Sequence, residues 1–214
     1  MNTTTKEVTY VNTNSYVTLN TLNSKTKNVW VVFHGIGYLS RYFLKYFDEL
    51  NADENYIIAP QAPSKYYLTN TYRHVGASWL TKEDTVQETE NVIHYIDAVL
   101  KAEAIPDHCK LIVFGFSQGV SIATRWVAKN KVMCDKLILY AGGLPKELTP
   151  KGFAHLTTNK REVTVIIGTK DIYLTPDVLQ EEEEKARRLF KGIAKEIRFK
   201  GGHEVKKEII NSLV

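Results

Sequence analysis

Two cysteines, Cys109 and Cys134, are all the thiol chemistry in the chain. A single pair cannot build a disulfide framework for a protein of this size, so a buried core must hold the fold, and a reducing, cytoplasmic setting is expected. Long apolar runs are also missing. No stretch approaches the roughly 20 residues that span a bilayer. The opening run Met1-Asn2-Thr3-Thr4-Thr5-Lys6-Glu7 holds no apolar signal core, so neither export nor stable membrane insertion is expected. Charge of one sign is scarce too. The net charge is +4 over 214 residues, and the cations are scattered instead of grouped with aromatics. Nucleic acid is therefore not an expected partner. Repeats and linker-like stretches are absent, which leaves one domain over 1–214 as the reading.

What is present is ordinary for a globular protein. Hydrophobic residues make up 43% and charged residues 24%, and the length suffices for one large core. Apolar β-type runs alternate with helix-type runs, which predicts an α/β domain with a mostly parallel central sheet and helices on both faces. Residues 7–11 and 16–19, with Asn12-Thr13-Asn14 between them, predict an N-terminal antiparallel hairpin at the sheet edge. Continuous apolar strands are predicted over 29–33, 56–59, 110–114, 136–140, 163–167 and 197–199. Helices are predicted over 42–50, from the turn at 115–117 to about 129, after Thr175-Pro176, and over 204–213. A further helix follows Thr81, which with Asp84 resembles a capping arrangement. Its face is Val86, Val92, Ile93, Ile96, Val99 and Leu100. Residues 61–80 show no regular pattern and read as a long loop of the kind that is functional or mobile.

The run Gly115-Phe116-Ser117-Gln118-Gly119 carries the first chemical signal. Gly-x-Ser-x-Gly alone is weak, since roughly one random chain in fifteen of this length contains it. Here it leaves an apolar strand and opens a helix, the setting of a nucleophile elbow. A Ser hydroxyl needs a base to take its proton. His203 fits best among six histidines, because it follows a strand end, sits after Gly201-Gly202 and lies C-terminal to Ser117. Of the others, His34 precedes Ser117, His94 lies on the predicted helix, and His74, His108 and His155 read as loop or surface residues. The base needs a carboxylate to fix its tautomer. Asp171, just past a strand end and between Ser117 and His203 in sequence, is the candidate. Asp135 precedes its strand and so lies at the wrong sheet edge, and Asp177 sits in a first helical turn where carboxylates are expected anyway.

An oxyanion hole requires two backbone donors. The candidates are Gln118, next to the nucleophile, and Ile36, in the loop His34-Gly35-Ile36-Gly37 after an early strand. Tyr38, Trp79 and Tyr173 are candidates for substrate contact. For Trp79 and the tyrosines of 61–80 the competing reading is a loop's own small core. The acidic run 181–184 reads as a solvated helix face that Lys185, Arg187 and Arg188 can neutralise. Cys109 and Cys134 flank strands and read as packing residues.

Together, His34-Gly35-Ile36-Gly37, Ala59-Pro60-Gln61-Ala62-Pro63, Gly115-Phe116-Ser117-Gln118-Gly119, Gly168-Thr169-Lys170-Asp171 and Gly202-His203 resemble the phospholipase/carboxylesterase family, which includes acyl-protein thioesterases. The resemblance runs from about residue 28 to 213. It implies an α/β-hydrolase fold working without metal or cofactor on carboxylic esters or thioesters. It also implies a triad at Ser117, Asp171 and His203 with oxyanion donors at Ile36 and Gln118. The chain departs from the family pattern at Tyr38, Val120, Leu80 and Thr81, all close to the substrate region.

The function expected is a serine carboxylic-ester hydrolase acting on small acyl or aryl esters through an acyl-enzyme, with a small-molecule ester as its partner. Thioesterase or lysophospholipase activity with the same triad is the alternative within enzymes. A hydrolase-fold binding protein without catalysis is the alternative outside them.

Overall fold

The structure is a computed structural model and describes residues 2–214. Strand β1 (Tyr16–Leu19) leads to β2 (Asn28–Phe33), a short helix α1 (Ser40–Phe43) that tightens into a 3-10 turn over Leu44–Tyr46, and β3 (Asn55–Pro60). Next come β4 (Ser64–Tyr67), β5 (Val75–Ser78), α2 (Thr85–Glu103), β6 (Lys110–Phe116), α3 (Gln118–Asn130) and β7 (Lys136–Tyr140). The chain ends with α4 (Ala154–Thr158), β8 (Glu162–Gly168), α5 (Pro176–Leu189), β9 (Ala194–Phe199) and α6 (Lys207–Asn211).

Seven strands form one sheet in the order β1-β3-β2-β6-β7-β8-β9. All neighbours are parallel except β1, which runs antiparallel to β3. The apolar run of β2 explains its central place. Val29, Val31 and Phe33 point into a core shared with Val92, Ile96, Val120, Val127 and Leu189 of α2, α3 and α5. Trp30 and Val32 point the other way, toward Phe43, Phe47, Ile210 and Leu213 around α1 and α6. Each such side chain, once buried, stabilises the fold by about 1.5–3 kcal/mol. The indole N–H of Trp30 is not stranded, because it donates to Asn55 Oδ1 at 3.0 Å.

The strand order reverses at β2. Its sequence neighbour β3 lies on one side, and β6 lies on the other. Ligand sites of open α/β sheets gather at such a switch point, outside the carboxyl ends of the strands. Here those ends lead to His34 and Ser117.

Several local expectations are corrected. Residues 7–11 form no strand, and Val8, Tyr10 and Val11 are exposed. They alternate like a strand but have no apolar face to cover, so β1 pairs with β3 instead of a hairpin partner. The antiparallel hairpin lies within 61–80, where β4 pairs with β5 in register Ser64↔Ser78 to Tyr67↔Val75. It hid from the sequence because every residue of β4 is exposed, leaving no alternation. The Thr81–Asp84 capping arrangement does not form. Asp84 takes a left-handed conformation with no side-chain cap, and α2 starts at Thr85. Val86 is therefore exposed, while Val92, Ile93, Ile96 and Val99 are buried as expected. The helix expected over 42–50 starts earlier and is broken by the 3-10 turn, and the final helix is only Lys207–Asn211.

Candidate active site

Strand β6 runs through Phe116, α3 begins at Gln118, and Ser117 is the single residue between them. It sits at φ 53°, ψ −120°, a region that costs a non-glycine residue roughly 1–3 kcal/mol. The strand below and the helix above fix it there. Its N–H donates to the Tyr140 carbonyl of β7 at 2.9 Å, and its own carbonyl accepts from Val120 at 3.0 Å. So sharp a reversal brings α3 against β2. A Cβ on Gly119 would overlap the backbone carbonyl of Phe33, so only glycine fits.

His203 follows β9 in a loop and meets Ser117 from the opposite side. Its Nε2 lies 2.9 Å from Ser117 Oγ, and its Nδ1 lies 2.7 Å from Asp171 Oδ2. A neutral ring satisfies both contacts in one way: Nδ1–H donates to the carboxylate and Nε2 accepts from the hydroxyl. The Asp171 side chain is 1% exposed against 23% for His203. The carboxylate is thus sealed beneath the imidazole, and its second oxygen accepts from the Tyr173 N–H at 3.0 Å. The His203 ring is held by Phe116 at 5.2 Å and by Tyr173, edge-on, at 4.8 Å.

The competing residues lie elsewhere. Asp135 accepts from the Leu111 N–H at 2.9 Å and pairs with Arg161 at the start of β7. Asp177 is in the first turn of α5, which Thr175 caps by accepting from Val178. His74, His94 and His108 are exposed, and His155 Nε2 lies 3.1 Å from the Val132 carbonyl. Lys185 pairs with Glu181 and Glu182, as expected of that face, but Glu182 also accepts from the Leu144 N–H at 2.7 Å.

Gln118 follows Ser117 directly, and Gly35, which precedes Ile36, packs against Ser117. Among the described residues, neither the Ile36 nor the Gln118 N–H has a backbone acceptor. As the first residue of α3, Gln118 has no intrahelical one, and the helix N-terminus adds partial positive charge there. The Gln118 side chain does separate work. Its Oε1 accepts from the Trp79 N–H at 2.9 Å, and its Nε2 donates to the Leu80 carbonyl at 2.8 Å and to Ser78 Oγ at 3.0 Å. The residue next to the nucleophile thus ties down the end of β5.

The three aromatic candidates separate. Tyr173 touches His203 and is largely exposed. Tyr38 is half-buried edge-on against Phe116, with its hydroxyl 3.2 Å from that of Tyr46. Burial and that bond push its phenol up to about 12. Trp79 is fully buried, so the expectation that it contacts substrate is corrected. It packs on Phe33 and His34, and its indole N–H donates to the His34 carbonyl at 2.8 Å. The sequence shows the aromatic residue but not its depth, because burial at the end of the hairpin depends on β2 and α3, which are remote in the chain. Phe116 and the Gln118 side chain escaped notice as well. Their signal was present, since both flank the serine inside the elbow.

The chain matches the Phospholipase/Carboxylesterase family over residues 14–213. It belongs to that family. Solved structures with the same α/β-hydrolase fold include acyl-protein thioesterase 2 of Zea mays, 16% identical, with 94% of this chain and 96% of that one covered and a TM-score of 0.68. Esterase PE8 is 20% identical over 93% and 96%, TM-score 0.67. A phospholipase/carboxylesterase of Dyadobacter fermentans is 18% identical over 96% and 98%, TM-score 0.61. At these identities the structures speak for the fold. Among curated proteins no relative matches. Membership makes the chain an α/β hydrolase of the esterase/thioesterase kind. Among the described residues no helix is long and apolar enough to cross a membrane, and no three His, Cys, Asp or Glu side chains converge as a metal ligand set.

Proposed function

We propose that this chain is a serine carboxylic-ester hydrolase acting on small acyl or aryl esters, with Ser117, His203 and Asp171 as its triad. One observation carries the reading: a single imidazole bridges the Ser117 hydroxyl at 2.9 Å and a buried carboxylate at 2.7 Å.

In the first step Ser117 Oγ attacks the acyl carbon while His203 Nε2 takes the hydroxyl proton. The carbonyl electron pair moves onto oxygen, where the N–H groups of Ile36 and Gln118 receive it. Donors of this kind are worth roughly 3–4 kcal/mol each in the transition state. Asp171 holds the imidazole in its Nδ1–H tautomer and stabilises the imidazolium. The intermediate collapses, the C–O bond to the alcohol breaks, and His203 returns its proton to the leaving oxygen. Water then resolves the acyl-enzyme by the same route, releasing the acid and Ser117. Exposed Ile36, Ile172 and Tyr173 offer an open apolar rim suited to a short acyl or an aryl group.

A thioester fits the same machinery, and one structure of this fold is named an acyl-protein thioesterase. Rates on oxygen and thiol esters of one acyl chain distinguish the two substrates. The test of the reading is labelling with a fluorophosphonate probe. Wild type is expected to label and Ser117→Ala to stay unlabelled; equal labelling of both proteins excludes Ser117 as the nucleophile.

A further inference from the structure

The Ile36 N–H belongs to the same peptide unit as the Gly35 carbonyl. That unit is planar and trans, so its C=O and N–H point in opposite directions. Whatever holds the carbonyl also aims the N–H. The Gly35 oxygen has two partners: His34 Nδ1 at 2.8 Å and the Tyr38 N–H at 3.3 Å. The His34 ring is fully buried, so the N–H faces away from the core. The loop also lies against the nucleophile, because a Cβ on Gly35 would sit 3.1 Å from Ser117 Cβ.

We propose that His34 is a positioning residue for the hydrolysis assigned above: its Nδ1–H holds the Gly35 carbonyl and thereby aims the Ile36 N–H at the developing oxyanion. The assignment rests on that hydrolase reading. The tautomer follows from the other ring nitrogen. Nε2 lies 3.2 Å from the Ala62 N–H, which can only donate, so Nε2 accepts and the proton resides on Nδ1. The Gln61 amide nitrogen is 3.5 Å from the same atom, a second group of donor type. Burial pushes His34 down to about 4, so the ring stays neutral at ordinary pH. Trp79 steadies the arrangement from behind, with its indole N–H on the His34 carbonyl and its backbone N–H on the Gln118 side chain. Buried Trp79 thus ties His34 to Gln118, whose N–H is the second donor of the proposed oxyanion hole.

Two substitutions separate the roles of the ring nitrogens. In His34→Asn the side-chain amide reaches the Nδ1 position and can still donate to Gly35. In His34→Gln the amide oxygen reaches the Nε2 position and can still accept from Ala62, but the Gly35 carbonyl loses its donor. With p-nitrophenyl acetate, His34→Gln is expected to lower kcat roughly 10²-fold, the scale of a lost oxyanion donor, with KM changed less than about threefold. His34→Asn is expected to recover most of that loss. Equal kcat in the two variants, or a rise in KM at constant kcat, overturns the assignment while leaving the hydrolase intact. A wild type without Ser117-dependent turnover removes the hydrolase reading and this one with it. Long-range proton–nitrogen NMR of wild type needs no variant. The His34 proton is expected on Nδ1, and a proton on Nε2 rejects the proposal.

Discussion

The indole N–H of Trp79 donates to the carbonyl oxygen of His34 at 2.8 Å, inside a core from which both side chains are closed to solvent. Removing the donor leaves a buried carbonyl without its partner, which costs roughly 1–3 kcal/mol. Trp79→Phe is therefore expected to lower stability by about that amount in urea titration. Its kcat is expected to fall while KM holds. A higher KM at unchanged kcat and stability would return Trp79 to the substrate surface, where the sequence alone had suggested it.

Acid should weaken the fold through His34. In the unfolded chain this histidine takes up a proton near pH 6.5, and in the folded chain burial delays uptake until about pH 4. Between those values the unfolded state binds more protons, so stability falls as pH falls through the window. The full effect is on the order of 3 kcal/mol. Urea midpoints of wild type and His34→Gln, taken from pH 7 down to pH 4.5, are expected to converge toward acid. Parallel curves would show that His34 does not set the slope.

The elbow tolerates no side chain at Gly119, because the obstructing atom is the backbone carbonyl of Phe33 in β2 and cannot swing aside. Gly119→Ala is expected to cost about 1–3 kcal/mol as overpacking forces the strand and helix apart. For a chain of this size that corresponds to a Tm lower by roughly 2–12 °C. Activity should drop with it, since the same shift moves the Gln118 N–H. An unchanged Tm would mean that α3 can shift off the Phe33 carbonyl of β2 at no cost.

The two carboxylates that compete in the sequence should separate in function. Asp171→Asn is expected to lower kcat by roughly 10⁴, because the amide favours the wrong imidazole tautomer. Asp135→Asn weakens the contacts to Leu111 and Arg161 at the other end of the sheet, so it should alter stability and leave kcat alone. Steady-state kinetics of the pair decides the matter, and the reverse pattern would assign the acid to Asp135.

What could be read from the sequence was whatever its local pattern encodes. Residues 29–33 and 110–114 are apolar without a break, and they became the centre of the sheet. Ser117, Asp171 and His203 each follow a strand end in the chain, and the parallel sheet gathers those ends on one edge, so the three side chains meet. The pieces that escaped depend on contacts between distant segments. Nothing in Tyr66-Tyr67 signals β4, whose only partner is β5 and whose faces are both open to solvent. Residues 7–11 carry strand-like alternation, yet β3 takes β1 as its edge partner and leaves them unpaired. Trp79 reads as one more loop aromatic until β2 and α3 close over it.

In the proposed reaction Ser117 carries the acyl group between the two halves of the cycle. Intact-protein mass spectrometry after rapid mixing with p-nitrophenyl acetate, followed by peptide mapping, tests it directly. A transient gain of one acetyl group located on Ser117 is expected, prolonged in His203→Ala relative to its rate of formation and absent from Ser117→Ala. Ester turnover that proceeds with no acetyl group on Ser117, or at an equal rate in Ser117→Ala, would contradict it.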